Sequence, residues 1–343
     1  MRLAVIFIAG LVLFSGAAFC QLNSRLDLEA GYFNNHNPAL KGEEDILLRA
    51  EGELSYNYPD AGNGSFNANL RLRPEWSGVE TALRSVKMGA QAGYFYETEV
   101  LGLGFTAAAK RNLYNSYKPL ITHDLLSLQG DVTYSLPSEV TLRLSPGYFR
   151  QIINFENRQT TDLLSLKLSA GNSLLGPVNG EEGIYAEFFT IRELPGKIAP
   201  QKESSLPGWK IGPELNFTYS EESILTFQYH FLLVNSGSTK FPSYEQMVRF
   251  MAGIMPEENI SVMLMADYFW HNIKVRKSAS YEEAATLNYS SLNYENRILL
   301  KIGYDVTEDV EVYLRTGYSK ENLINDIFSE KSWSIMAGFS FTR

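Results

Sequence analysis

One pattern recurs from about residue 24 to Phe341, a stretch of roughly ten residues in which every second side chain is apolar. The last copy is the clearest, because apolar residues from Trp333 to Phe341 alternate with Ser334, Met336, Gly338 and Ser340. Successive side chains of a β-strand point to opposite faces. Each copy therefore predicts a strand with one apolar face and one polar or small face.

The number and spacing of these copies predict an all-β chain: an antiparallel transmembrane β-barrel of about 16 strands, within a range of roughly 14 to 18. The predicted strands lie near residues 24–33, 44–58, 66–76, 84–96, 100–110, 125–135, 139–150, 162–171, 183–193, 208–219, 223–234, 246–254, 259–270, 291–304, 309–319 and 332–342. Short and long connections alternate, as in bacterial barrels with periplasmic turns and extracellular loops. Two predicted turns, 59–65 and 172–182, are longer than expected. Pro213 predicts a bulge or a miscount in the tenth strand, because proline cannot donate to the ladder.

The apolar face supports a membrane location. It carries no charge in the interiors of the predicted strands, although charged residues make up 20% of the chain. A lipid-facing Lys or Arg costs about 2–4 kcal/mol at the midplane. Aromatic residues fall at both ends of this face and predict two girdles at the lipid interfaces. The outer girdle comprises Trp76, Trp209, Trp270, Trp333, Tyr148 and Tyr318, and the inner one Tyr94, Tyr134, Tyr219, Tyr304 and Phe341. A soluble sandwich or propeller is the alternative, but its strands average five or six residues.

The start of the chain predicts export. Residues 1–20 have a positive end, an apolar centre and small residues before Gln21, as a cleaved signal peptide does. The alternative is a lipoprotein signal that retains and acylates Cys20. Residues 21–343 show no compositional break, so we predict one domain. No run of eighteen or more apolar residues follows the signal. The net charge of −9 argues against nucleic acid as a partner.

These features together resemble the bacterial outer-membrane β-barrel superfamily, including porins. The resemblance rests on the export signal, the amphipathic strands and a last strand with outward aromatic residues up to Phe341. It implies the outer membrane of a Gram-negative bacterium, with the lipid bilayer as a partner and homo-oligomers as one arrangement. It also implies that the assembly machinery recognises the last strand. Thr342 and Arg343 follow Phe341 and depart from the superfamily's terminal aromatic residue.

The inward face carries basic and acidic residues in nearly equal numbers, so no strong bulk preference for either ion sign is predicted. Either these charges form a field across a water-filled pore, or they neutralise each other and stiffen the wall. Arg71, Arg73, Arg143 and Arg297 are the best candidates for contacting solutes. The candidate pore-lining residues are Arg49, Arg71, Arg73, Arg143, Arg297, Arg315, Glu51, Glu187, Glu214, Asp267 and Glu295.

Other features of the sequence do not predict catalysis. His230 is the only histidine within a predicted strand, and a lone inward histidine is more often wall lining than a catalyst. The three remaining histidines fall in predicted outer loops, and we expect no metal site. The longest predicted loop, 271–290, either folds into the lumen or forms a solvated cap, which is the commoner outcome.

The sequence therefore favours a porin-like passive channel for small hydrophilic solutes, with no cofactor. The alternative is a non-enzymatic conduit or anchor in an envelope complex for secretion or polysaccharide export. A barrel hydrolase is less favoured than either.

Overall fold

The computed structural model describes residues 22–36, 43–59, 63–77, 82–114, 121–137, 140–154, 158–175, 177–194, 204–274, 276, 296–322 and 329–343. The predicted signal peptide, Cys20 and the pore-lining candidate Glu295 lie outside these residues. Within the described part of the chain, no helix has the length and apolar character needed to cross a membrane.

The chain forms a closed antiparallel barrel of sixteen strands, which confirms the predicted fold class. Every predicted strand corresponds to one observed strand. The strands are β1 (Leu22–His36), β2 (Glu43–Pro59), β3 (Gly64–Ser77), β4 (Ala82–Glu97), β5 (Leu101–Tyr114), β6 (Ile121–Ser135), β7 (Thr141–Asn154), β8 (Arg158–Leu175), β9 (Val178–Leu194), β10 (Ser204–Ser220), β11 (Ser223–Ser236), β12 (Ser243–Glu257), β13 (Ile260–Asn272), β14 (Asn296–Thr307), β15 (Val310–Asn322) and β16 (Ser329–Thr342).

Pairing between β1 and β16 closes the sheet, so no strand edge is left open. At the seam, the Ser24 and Arg343 backbones exchange hydrogen bonds of 2.7 and 2.9 Å. Both described chain ends therefore lie at the same end of the barrel as the short turns. We call this end the turn end and the opposite one the loop end.

Several strands extend beyond their predicted limits. Residues 172–182 were predicted as a long turn, but β8 runs to Leu175 and β9 begins at Val178. The predicted limits 100–110 and 125–135, which left residues 111–124 as a loop, are also wrong, because Arg111 pairs with Asp124 across β5 and β6. The physical reason is that backbone pairing continues where the apolar alternation of the side chains has already ended.

Pro213 produces neither a bulge nor a miscount. It pairs with Ile184 of β9. Residues 212–213 have no assigned partners in β11, but the register between β10 and β11 is the same before and after them. A missing N–H group removes one bond from a ladder without displacing the strands. The tenth strand is therefore regular in register.

The two faces of the wall differ in exposure. Side chains on a concave inner face converge, and large buried residues such as Phe33, Phe189 and Met336 lie on that face. The outer face carries exposed apolar residues such as Leu166 and Ile184. The predicted girdle residues all lie on this outward face, as their pairing with other outward residues shows: Trp76, Trp209, Trp270, Trp333, Tyr148, Tyr318, Tyr94, Tyr134, Tyr219, Tyr304 and Phe341.

Candidate functional site

The lumen wall is crossed by ion pairs between neighbouring strands. Arg49 of β2 contacts Glu29 of β1 at 3.0 Å and Glu75 of β3 at 2.7 Å. Arg315 of β15 contacts the same Glu29 at 2.5 Å, and the Tyr313 hydroxyl donates to it at 2.9 Å. This network crosses the seam between β1 and β16. The register places Glu29 directly opposite Arg49 of β2, while Arg315 reaches it from β15, on the far side of β16. It therefore ties the two ends of the sheet together through side chains.

A second network lies on β12, β13 and β14. The Asp267 carboxylate accepts a hydrogen bond from Arg249 Nε at 2.7 Å and another from Arg297 Nε at 2.6 Å. Each carboxylate oxygen of Asp267 thus accepts a hydrogen bond from one arginine. Asp267 is buried, whereas both guanidinium groups reach out of the wall.

The inward arginines are more exposed than their carboxylate partners, an asymmetry that the lysine pairs of the same face do not all share. The side chains of the inward arginines Arg25, Arg71, Arg143, Arg249 and Arg297 are 36–51% exposed. Their carboxylate partners Asp27, Glu51, Glu181 and Asp267 are only 7–24% exposed. The long arginine stems carry the guanidinium groups into the lumen, while the shorter acids stay against the wall. The surface that a solute meets is therefore more cationic than the residue count indicates.

A recess of about 320 Å³ opens in the lumen wall and is lined by residues of seven strands, from β6 to β12. Its charged floor centres on Glu214, which contacts Lys167 at 2.9 Å and His230 Nε2 at 3.0 Å. Arg143 also lines the recess and contacts Glu181 at 3.8 Å. Phe149 and Tyr185 supply aromatic faces. This combination suits a small polar solute with an apolar part.

A buried charged cluster lies nearer the loop end. Lys210 contacts Glu245 at 2.8 Å and Glu187 at 4.0 Å, and these side chains are at most 4% exposed. The Tyr185 hydroxyl donates to Glu187 at 2.9 Å. Two acids surround one ammonium group here, so the cluster belongs to the wall and does not face a solute.

The cluster lies close to a strap that we define as Ile273, Lys274 and Arg276, at the start of the connection after β13. Lys274 accepts a hydrogen bond from the Lys240 backbone at 2.7 Å, and the Arg276 backbone donates to Ser238 at 2.9 Å. Ile273 packs against an inward apolar group: Leu163, Phe189, Ile191 and Leu206. Ile273 thus packs inward, whereas most of the predicted loop 271–290 lies outside the described residues, so the inward-folded and solvated-cap alternatives for that loop stay predictions.

The structure places the candidate pore-lining residues in two groups. Arg71, Arg143 and Arg297 are well exposed on the inward face. The other described candidates are held closer to the wall by ion pairs or burial: Arg49, Arg73, Arg315, Glu51, Glu187, Glu214 and Asp267. Even the exposed arginines contact carboxylates, so charge neutralisation within the wall is observed, while a field across a water-filled pore stays a prediction.

The sequence pattern did not locate all the charged residues of this site. Glu181 and Glu245 were placed in connections, yet they lie in β9 and β12 and face basic residues. The partner of His230 is Glu214, directly across the β10–β11 pair. Exact strand register was the signal that could have found them. The described residues contain no group of three or more His, Cys, Asp or Glu side chains arranged to hold a metal.

No protein-family model matches the sequence, and no curated protein sequence matches it. Among solved structures, CdiB from Acinetobacter baumannii is similar, with a TM-score of 0.50 and 11% identity over 95% of this chain and 61% of that chain. The chain shares a β-barrel fold with this protein, and in this chain the barrel is closed and antiparallel. It spans about three fifths of the length of CdiB.

Two further outer-membrane β-barrels give lower scores. OccK2 (OpdF) of Pseudomonas aeruginosa, in complex with glucuronate, has a TM-score of 0.42 and 8% identity, over 94% of this chain and 98% of that one. OccAB3 of Acinetobacter baumannii has a TM-score of 0.40 and 9% identity, over 95% of this chain and all of that one, 100%. The likeness concerns the fold alone.

Proposed function

We propose that this barrel is a passive outer-membrane channel for small hydrophilic solutes, with a lumen that favours anions. The observation that carries the proposal is the difference in exposure between the inward arginines and their carboxylate partners. Fixed cations along a low-dielectric wall raise the local concentration of anions. Arg71, Arg143 and Arg297 are the solute-contacting residues in this proposal, and the recess beside Arg143 is a resting point for the solute.

The membrane location is part of the same proposal. It is supported by the exposed apolar outer face and by aromatic residues near both ends of that face. In this proposal, lipid acyl chains and not water contact the outer face. Recognition of the last strand by assembly machinery and formation of homo-oligomers stay predictions from the sequence.

An arginine in the middle of the outer face tests the membrane location. Leu166 lies midway along β8, faces outward and is 46% exposed. We expect Leu166→Arg to lower the free energy of unfolding from lipid vesicles by about 2–4 kcal/mol, because the charge would lie in hydrocarbon. The neighbouring Ser165→Arg, which faces the recess, is the matched control and should cost much less. Equal stability of the two variants would contradict a lipid-facing Leu166.

Conductance in planar bilayers tests the channel. We expect stable openings on the order of a nanosiemens for the wild type. Ile273→Asp should raise the conductance. The substitution removes about 1.5 kcal/mol of apolar packing, so the population of barrels in which the strap is detached from the wall should rise about tenfold. Asn272→Asp adds the same charge to the adjacent exposed residue and should leave the conductance unchanged.

A barrel that stays silent in bilayers and co-purifies with other envelope proteins would contradict the channel and favour the conduit or anchor. If Ile273→Asp and Asn272→Asp change the conductance equally, the strap does not narrow the lumen.

A further inference from the structure

A compact set of charges lies on the outward face near the loop end, where β5 to β9 run side by side. Arg111 donates to both carboxylate oxygens of Asp124, at 2.6 and 2.7 Å. Asp162 accepts hydrogen bonds from the Tyr148 hydroxyl at 2.7 Å and from Arg192 at 3.1 Å, and Arg150 lies 3.5 Å away. These contacts are all on the outside of the barrel, so they contribute nothing to the lumen.

The set has an excess of positive charge. The exposed Arg158, the second outward residue beyond Asp162 toward the loop end of β8, joins the three arginines, so four cations face two carboxylates. The side chains of Arg111, Arg150 and Arg192 are 43–56% exposed. Each guanidinium carries five N–H donors, and the two acids use only a minority of them. Donors that are not engaged within the chain can meet an anion from outside it.

The position of the set relative to the apolar wall indicates what that anion is. The strand register puts Arg150 and Asp162 in one row across the sheet, with Arg111 and Arg192 in the next row toward the loop end. The row on the other side of Arg150, toward the turn end, is apolar and aromatic: Leu128, Tyr148, Leu164, Phe188 and Trp209. Adjacent rows of one face are about 7 Å apart. The guanidinium groups therefore lie just beyond an interfacial aromatic band, at the depth of lipid headgroups.

The set is also local. Among the described residues, the outward positions at the loop end of β10 to β13 are uncharged, and they include Trp209, Asn235, Tyr244 and Trp270. Where side chains are described, Lys320 and Lys331 are the other basic residues on this rim, and they are opposite each other in the register of β15 and β16. A general solvated rim would spread its charges around the barrel, whereas these arginines occupy one sector.

We propose that Arg111, Arg150, Arg158 and Arg192 bind the phosphate of an anionic lipid headgroup, with the acyl chains lying along the apolar row below. Arginine suits this ligand because its planar donor fork matches phosphate and it is weakly hydrated. Basic clusters beside a membrane surface attract anionic lipids. The inference rests on the proposed membrane location of the outer face and is independent of channel activity.

The test is native mass spectrometry of the purified full-length barrel in a neutral detergent, titrated with lipid A and with its dephosphorylated form. The wild type should bind lipid A preferentially. The outer-wall triple variant, Arg111→Gln with Arg150→Gln and Arg192→Gln, should weaken lipid A binding by at least about tenfold. The lumen triple variant, Arg71→Gln with Arg143→Gln and Arg297→Gln, removes the same charge and should bind as the wild type does.

A further variant separates lipid binding from a purely structural ion-pair network. Asp162→Asn removes the carboxylate partner of Arg150 and Arg192, so lipid A binding should stay the same or rise. If the charges served only as a structural ion-pair network, the same substitution would lower lipid A binding. If the triple variant does not fold, as judged by its heat-dependent gel migration, Arg150→Gln alone replaces it. Added inorganic phosphate should not displace the lipid, because the acyl chains contribute to binding.

Four results would overturn the proposal: equal binding of lipid A and its dephosphorylated form, equal losses in the outer-wall and lumen triples, weaker lipid A binding in Asp162→Asn, or full displacement by inorganic phosphate. A barrel that binds lipid A as expected but never conducts would contradict the proposed channel and leave this site standing.

Discussion

In a planar bilayer under a gradient of potassium chloride, the wild-type barrel is expected to pass chloride more readily than potassium, on the order of several-fold at low ionic strength. The reason lies in the exposure of the lumen charges. Half-exposed guanidinium groups meet the permeating ion, while their carboxylate partners are covered by the wall. The reversal potential measures this preference directly.

The lumen triple variant, in which Arg71, Arg143 and Arg297 become glutamine, should lose most of the preference. The outer-wall triple variant is the matched control, because it removes three arginines from the other face and should keep the wild-type reversal potential. Raising the salt from 0.1 M to 1 M should also weaken the preference, since the screening length falls from about 10 Å to about 3 Å.

A cation-selective or unselective wild type would show that the exposed arginines do not set the field in the lumen. The same conclusion would follow if the two triple variants shifted the reversal potential equally, because the effect would then come from net charge alone.

The second large effect concerns the buried cluster around Lys210. We expect Lys210→Met to lower the free energy of unfolding by about 3–5 kcal/mol, because it leaves Glu187 and Glu245 buried without their shared cation. Urea titration of the barrel in detergent micelles, followed by tryptophan fluorescence, measures the change. Lys110→Met is the control, since Lys110 is inward but exposed and should cost little.

A rescue variant distinguishes charge from packing. Combining Lys210→Met with Glu187→Gln and Glu245→Gln removes every charge of the cluster and should recover most of the lost stability, because no buried charge is left uncompensated. If Lys210→Met unfolds at the wild-type urea concentration, the cluster does not hold this part of the wall. If the triple change recovers nothing, the loss comes from packing.

The alternation of side chains predicted the number and order of the strands correctly, because each strand presents one whole face to an apolar environment outside the barrel. The alternation underestimated the strand lengths at positions beyond the apolar environment. Arg111 and Asp124 have the polarity of a loop, yet their backbones remain paired. Side-chain polarity reports the environment of a residue, whereas strand limits depend on backbone hydrogen bonds.

In the lumen, too, the sequence shows the residue types but not their contacts. Its residue types were visible in the sequence, and the near balance of signs predicted little selectivity. Contacts between strands determine which charges are covered. Asp267 is buried because register places it between Arg249 and Arg297, and Glu181 meets Lys167 because β9 begins earlier than predicted.

The sequence by itself determined that this chain is a sixteen-stranded barrel with an apolar outer face, because period-two alternation is a local property that each strand carries alone. Only the tertiary structure decided which charges face the solute, where Ile273 packs, and that four arginines share one sector of the outer wall. These features depend on register and closure, which bring together residues far apart in the chain.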